Sequence, residues 1–259
     1  MGSLVIVATP IGNLSDISPR ALDALRNADL IACEDTRLTL KLLNHFGIRK
    51  PLTSYHDFNE KEKASELGKK IEAGSTIALV SDAGTPGISD PGYRLVRYCR
   101  EQGFHVSVIP GPSAAIAALA ASGLPSDEFF FAGFLPSKKS TRREKLESLR
   151  SLPCTVIFYE APHRITGMLT DLLEVFGDRE TCVARELTKL HEEVLFGKLS
   201  EICILVKPLG EFVIVIHGNE APTEPSSKPP LTRDQALKLL GISRNELYDL
   251  FFKKSSKNG

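Results

Sequence analysis

Residues 76–92 read Thr-Ile-Ala-Leu-Val followed by Ser-Asp-Ala-Gly-Thr-Pro-Gly-Ile-Ser-Asp-Pro-Gly. The first five residues have the length and β-branching of a buried strand. From Tyr93 to Arg100, Leu95, Val96 and Cys99 recur at helical spacing. A strand therefore feeds a loop with three glycines and two prolines, and the loop feeds a helix. Gly84, Gly87 and Gly92 permit positive φ and close approach of backbone to a ligand. Pro86 and Pro91 stiffen the turns. Strand-to-helix connections usually take about two to six residues, and this one is longer. In an open α/β sheet such loops lie beyond the carboxyl ends of the strands, where ligands bind. The stretch reads as a binding loop.

The same alternation extends on both sides. Short apolar runs predict strands at 4–8, 30–33, 52–55, 76–80 and 105–109, separated by helical patterns. Ser18-Pro19 is an N-cap followed by Pro at the first helical position. Residues 1–112 thus read as a mostly parallel α/β domain. Residues 113–219 read as a second α/β domain. An alanine-rich helix at 114–121 comes first, and strands are predicted at 129–131, 155–159, 181–184, 194–196 and 212–216. Ile165, Met168, Leu169, Leu172, Leu173 and Phe176 line one face of a helix. Hairpin-like strands in this half predict a mixed sheet. Residues 220–230 hold four prolines and read as a linker. In 231–259, Thr232-x-x-Gln235 and Ser243-x-x-Glu246 are capping-box patterns that predict a short helical tail. The expected fold class is α/β: two domains with a ligand cleft between them, plus that tail.

Composition narrows the function. The 32 basic and 32 acidic residues cancel, which argues against a wholly basic nucleic-acid binder and leaves local patches open. Five scattered cysteines form no CxxC pair and predict a reducing compartment. No apolar run approaches membrane-spanning length, and strand patterning begins at once with no signal-peptide pattern. A cytoplasmic, membrane-free protein is expected. Thr9-Pro10-Ile11-Gly12-Asn13 is not GxGxxG, and GxxxxGK[ST], HExxH and GxSxG are missing. Dinucleotide, P-loop, zinc and serine-hydrolase readings are disfavoured, and no metal is expected. Ser113 at a helix start reads as an N-cap rather than a nucleophile.

Four predicted strand ends are unusually polar: Glu34-Asp35-Thr36-Arg37, residues 81–92, Glu160 to Arg164, and Arg185 to Glu193. Parallel strands would gather these ends at one edge, as a site for a polar substrate. What remains is a cradle built largely of backbone with a polar wall. It suits a ligand with an adenosine and a carboxylate.

Seven motifs then occur in one order: Ala-Thr-Pro-Ile-Gly-Asn (8–13), Glu-Asp-Thr-Arg (34–37), Ser-Tyr-His (54–56), the 81–92 loop, Pro-Gly-Pro-Ser-Ala (110–114), Phe-Tyr-Glu-Ala-Pro-His-Arg (158–164) and Ala-Arg-Glu-Leu-Thr-Lys-Leu-His-Glu-Glu (184–193). Over residues 4–218 the chain resembles the tetrapyrrole methylase superfamily, and within it the bacterial members that act on ribosomal RNA. The resemblance implies two α/β domains, a homodimer, and S-adenosylmethionine held in the cleft. It implies methyl transfer to the ribose 2′-oxygen of a cytidine in the decoding region of 16S ribosomal RNA, within the small ribosomal subunit. Carried over by position, the cofactor residues are Ile11, Asp82, Ala83, Gly84, Thr85, Pro86, Ile88, Ser113, Ala114, Tyr159 and Arg185. Thr85-Pro86 departs from the Asp-Pro commoner in the superfamily.

A ribose hydroxyl is a weak nucleophile near neutral pH, so the transfer needs in-line alignment and a proton acceptor. Glu34, Asp35, Glu160, Glu186 and a neutral Lys189 are candidates. Lys189 and Glu160 are expected nearest the hydroxyl, and Lys189 would need its pKa lowered by burial or nearby cations. Lys138, Lys139, Arg142 and Arg143 form a basic cluster suited to phosphates. Arg37 and Arg164 could bind flanking phosphates, and His56 or His163 could stack or hydrogen-bond. The rival readings are a methylase acting on a small macrocycle and a non-catalytic ribosome-associated factor.

Overall fold

Strand β1 (Ser3–Val7) is followed by α1 (Pro19–Asn27), β2 (Leu30–Cys33), α2 (Thr36–His45), β3 (Leu52–Ser54), α3 (Glu60–Glu72), β4 (Thr76–Val80), α4 (Tyr93–Glu101) and β5 (His105–Ile109). The computed structural model describes residues 2–219; the expected linker at 220–230 and tail at 231–259 lie outside them. The five strands form one sheet in the order β3-β2-β4-β1-β5, every pair parallel. Successive side chains of a strand point to opposite faces, and both faces here are covered. Ile77 and Leu79 of β4 pack with Leu67 and Ile71 of α3 and Leu95 and Cys99 of α4. Ala78 and Val80 pack on the other side with Ala21 and Leu25 of α1 and Leu43 of α2. That double burial explains the unbroken apolar runs in the sequence. Ser18 caps α1 as expected, its hydroxyl oxygen accepting from Ala21 N–H at 3.1 Å.

The rest comprises α5 (Ala114–Ser122), β6 (Phe129–Phe134), α6 (Lys139–Leu149), β7 (Thr155–Glu160), α7 (Ile165–Phe176), β8 (Glu180–Arg185), β9 (Glu193–Lys198), α8 (Leu199–Leu205) and β10 (Phe212–Ile216). The strands form a second sheet in the order β6-β7-β10-β8-β9. β6 and β7 are parallel, and the other pairings are antiparallel. This is the mixed sheet that the sequence predicts. One face buries Val156, Phe158 and Ile214 against Leu146 of α6, Leu169 and Leu172 of α7 and Ile202 of α8. The other face carries α5, whose Ala115 and Ala118 lie against Ile157, Ala184, Val213 and Val215. Small side chains let that helix sit close to the sheet.

Two elements depart from the sequence expectation. β6 runs on to Phe134 through an irregularity between Phe131 and Gly133. Helix α8 was not foreseen, although Leu199 and Ile202 sit three residues apart on its buried side.

β7 and β8 both run antiparallel to β10, so their carboxyl ends fall at the same edge. Phe212 faces Glu160 on one side and Arg185 on the other. The polar strand ends of each sheet are therefore gathered, as parallel strands require.

Candidate active site

Side-chain and backbone bonds stitch the loops at the edge of the first sheet together. Thr9 N–H donates to Gly84 O at 2.9 Å, and Gly84 N–H returns a bond to Thr9 O at 3.1 Å. The Thr9 hydroxyl donates to Ser81 O at 3.1 Å, and the Thr85 hydroxyl to Pro112 O at 3.2 Å. Gly84 has φ +83°, a conformation that glycine adopts without steric cost. A Cβ there would stand in van der Waals contact with Ile11, 3.4 Å from its Cγ2. The loop after β1 also meets the loop after β8. Asn13 N–H donates to Thr188 Oγ1 at 3.1 Å, and a Cβ on Gly12 would fall 2.5 Å from Lys189 Cγ.

Between these loops lies a cavity of about 290 Å³, near the lower end of the size range for small-molecule sites. Of the expected cofactor residues, Ile11, Ala83, Gly84, Thr85, Ile88, Ser113, Ala114 and Tyr159 line it. Asp82, Pro86 and Arg185 do not. The Asp82 carboxylate accepts from Asp35 N–H at 3.0 Å and so ties two loops of the first sheet. Pro86 is buried in the loop. Arg185 is turned away, with Nε 3.1 Å from Glu193 Oε2 and a second nitrogen donating to Leu209 O. Ser113 occupies the N-cap position of α5 but makes no side-chain cap bond. Asp90 and Leu187, within the expected 81–92 and 185–193 stretches, also line the cavity, as do Phe134, Glu211 and Phe212, which sequence reasoning missed.

Tyr159 is a fixed wall. Its hydroxyl oxygen accepts from Ala115 N–H at 3.1 Å, and its ring meets Phe131 and Phe134 edge-on at 5.1 and 5.5 Å. Burial, above all, pushes its hydroxyl pKa up, so the phenol stays neutral.

The five candidate proton acceptors separate cleanly. Asp35 caps α2, accepting from Arg37 N–H at 2.8 Å and from its guanidinium at 2.7 and 3.1 Å. Those bonds hold its pKa down to about 2. Glu186 accepts from Lys189 Nζ at 2.8 Å and from Glu211 N–H at 3.0 Å, which lowers its pKa as well. Glu34 does not line the cavity. Burial first, then Asp82, Asp90 and Asp57, raise its pKa to about 7. Lys189 lines the cavity but is no neutral base. Burial pulls its pKa down, yet hydrogen bonds to Glu186 and Glu211 outweigh it and the net shift is upward. The condition for a neutral Lys189, nearby cations, is reversed by two carboxylates.

Glu160 is left. It is 1 % exposed and lines the cavity. Its Oε1 accepts from Ala161 N–H at 2.8 Å. Arg164 Nε lies 3.1 Å from the same oxygen, but its N–H is not aimed there and makes no hydrogen bond. Oε2 is buried with no hydrogen-bond partner among the described residues. A buried carboxylate oxygen with nothing to accept from is costly, and such atoms mark places where a ligand belongs.

The basic cluster is not the uniform surface that the sequence suggests. Arg142 is 8 % exposed, and its guanidinium holds the fully buried Asp171 at 2.6 Å. It braces α6 on α7 and cannot reach a phosphate. Arg143 pairs with Glu174 and, at 3.5 Å, with Asp171. Arg164 donates to the carbonyls of Leu135 and Pro136 at 2.6 and 3.2 Å, so it too is structural. Lys138, Lys139 and Arg37 are exposed. His56 hydrogen-bonds Asn59 through Nε2, while its buried Nδ1 has no partner among the described residues.

A family model described as Tetrapyrrole (Corrin/Porphyrin) Methylases matches residues 3–203. Curated relatives named "Ribosomal RNA small subunit methyltransferase I" span most of both chains. That of Escherichia coli O157:H7 is 46 % identical over 95 % of this chain and 93 % of its own. That of Thermotoga maritima is 49 % identical over 85 % of this chain and all of its own. Among solved structures, a diphthine synthase superposes with TM-score 0.63 at 18 % identity, covering 84 % of this chain and 90 % of that one. A uroporphyrin-III C-methyltransferase from Thermus thermophilus, complexed with S-adenyl homocysteine, gives 0.57 at 18 % identity over 83 % and 97 %. At that identity the likeness is one of fold. With a family match over most of its length and near-full-length relatives at such identity, the chain belongs to the tetrapyrrole (corrin/porphyrin) methylase family and is a methyltransferase.

Proposed function

We propose that the protein transfers the methyl group of S-adenosylmethionine to the ribose 2′-hydroxyl of a cytidine in the decoding region of 16S ribosomal RNA. The assembled small ribosomal subunit is its substrate. The observation that carries the reading is the near-full-length identity to relatives named for small-subunit ribosomal RNA methylation. The same reading makes the enzyme a cytoplasmic homodimer.

The cavity suits the cofactor. Its wall from Ile11, Ala83, Gly84 and Ala114 is apolar. S-adenosylmethionine supplies a methyl group already activated on a sulfonium. The chain must therefore align the hydroxyl, exclude water and take up one proton. Glu160 Oε2 is the acceptor for that proton. Oε1 is already committed to Ala161 N–H, which leaves Oε2, with no partner among the described residues, as the oxygen that can take the proton. Lys189 stays an ammonium with three N–H donors. Two go to Glu186 and Glu211 at 2.8 and 2.9 Å. The third is available to orient the ribose.

The test is labelled methyl transfer to small subunits, free 16S RNA and a tetrapyrrole, followed by nucleoside mapping. Label on one cytidine 2′-oxygen of the subunit supports the reading. Label on the tetrapyrrole alone overturns it.

A further inference from the structure

Strand β6 loses its regular register between Phe131 and Gly133. Phe131 faces Ile157, Gly133 faces Phe158 and Phe134 faces Tyr159. Two steps on β6 thus match one on β7, which is a bulge. Continued without it, Phe134 would face Glu160 and fall on the other side of the sheet, because a one-residue slip exchanges faces. Bulges re-aim side chains in this way and recur beside active sites. Gly133 makes the bulge possible. It has φ +65°, and a Cβ there would meet Ser89 Oγ of the 81–92 loop at 3.0 Å.

The outcome is that Phe134 lines the cavity while 56 % exposed. The ring is well braced. It meets Tyr159 edge-on at 5.5 Å and 63°, and Tyr159 is tied to α5. Arg164 clamps the next two carbonyls, those of Leu135 and Pro136. Lys138 and Lys139 follow at the start of α6, both exposed. An exposed aromatic face at a cavity, with exposed cations a few residues on, is the pattern that takes a nucleobase and its neighbouring phosphates.

We propose that Phe134 is the stacking platform for the nucleobase of the nucleotide being methylated, and that Lys138 and Lys139 bind the adjacent phosphates. This rests on the ribosomal RNA reading above. Stacking on Phe134 holds the target base out of its helix, and its ribose is thereby brought to the cavity that Glu160 lines. Every base has a π-face, so the platform sets position and depth rather than base identity.

The test compares wild type, Phe134→Ala and Phe134→Trp. It measures kcat and KM for unmodified small subunits, S-adenosylmethionine affinity by calorimetry, and mass by sedimentation. Phe134→Ala should lower kcat/KM for subunits about 5- to 100-fold. Cofactor affinity should fall by much less than that factor, mass should stay unchanged, and Phe134→Trp should restore most of the loss. Cofactor affinity falling by the same factor would place the cofactor on the ring and overturn the proposal. A change in mass would make Phe134 a subunit contact, with the same consequence. Wild-type kinetics in Phe134→Ala overturn the proposal alone. A wild-type enzyme that methylates no ribosomal particle overturns the reading beneath it as well.

Discussion

Replacing Arg142 by methionine separates a structural cation from an RNA-binding one. Methionine keeps much of the aliphatic stem and removes the charge. Asp171 is fully buried and accepts from Arg142 Nε at 2.7 Å and pairs with a second guanidinium nitrogen at 2.6 Å. Breaking a buried pair by removing one partner costs about 3–5 kcal/mol, because the other charge stays desolvated. Arg143 at 3.5 Å and Lys139 at 3.7 Å remain near Asp171, so the lower end, about 3 kcal/mol, applies. For a unit of this size each kcal/mol shifts Tm by about 2–4 °C. Calorimetry should therefore show a fall of roughly 6–12 °C. Arg142→Leu combined with Asp171→Leu should recover much of it, since the uncompensated charge is gone. By contrast, Lys138→Ala with Lys139→Ala should leave Tm within about 1–2 °C and flatten the salt dependence of RNA binding. Refutation would be an Arg142→Met protein as stable as wild type that binds RNA more weakly.

Two other substitutions probe the loops at the carboxyl edge of the first sheet. Gly12→Ala sets a methyl 2.9 Å from Leu187 O and 2.5 Å from Lys189 Cγ, an overpacking worth about 1–3 kcal/mol. It should displace Lys189 and slow methyl transfer by roughly 10²-fold, whereas unaltered kinetics would mean that the two loops are not in contact. The folded pKa of Glu34 is raised to about 7 from 4.5, so its contribution to stability is full below pH 4.5 and is lost as pH rises through 7. Glu34→Gln should raise Tm at pH 8 relative to wild type and reduce the slope of Tm between pH 4.5 and 7. An unchanged slope would show that Glu34 is not held among Asp57, Asp82 and Asp90.

What could be read in the sequence follows from the range of the interactions. The first sheet was legible because its strands are buried on both faces and its helices are capped locally, as Ser18 caps α1. The 81–92 loop was legible because Gly84, Gly87 and Gly92 do adopt positive φ. Arg142 was misread because its partner lies 29 residues away on α7, and nothing in Lys-Lys-Ser-Thr-Arg-Arg marks one cation as buried. Lys189 was misread for the same reason, since Glu211 comes from the start of β10, 22 residues on. Phe134 was missed because Gly133 breaks the apolar run at 129–131, and that same glycine makes the bulge that turns the ring into the cavity. Helix α8 follows β9 with no turn residue between them, and its start is marked only by Glu201, which accepts from Lys198 N–H at 3.2 Å.

The central claim is that this cleft performs the transfer through the free oxygen of Glu160. Single-turnover methyl transfer by Glu160→Gln, with S-adenosylmethionine affinity measured alongside, tests it most directly. An amide nearly matches the carboxylate in shape but cannot take the proton. The transfer rate should fall by about 10²–10⁴-fold, far more than any change in cofactor affinity. A Glu160→Gln enzyme that transfers methyl at the wild-type rate would contradict the account.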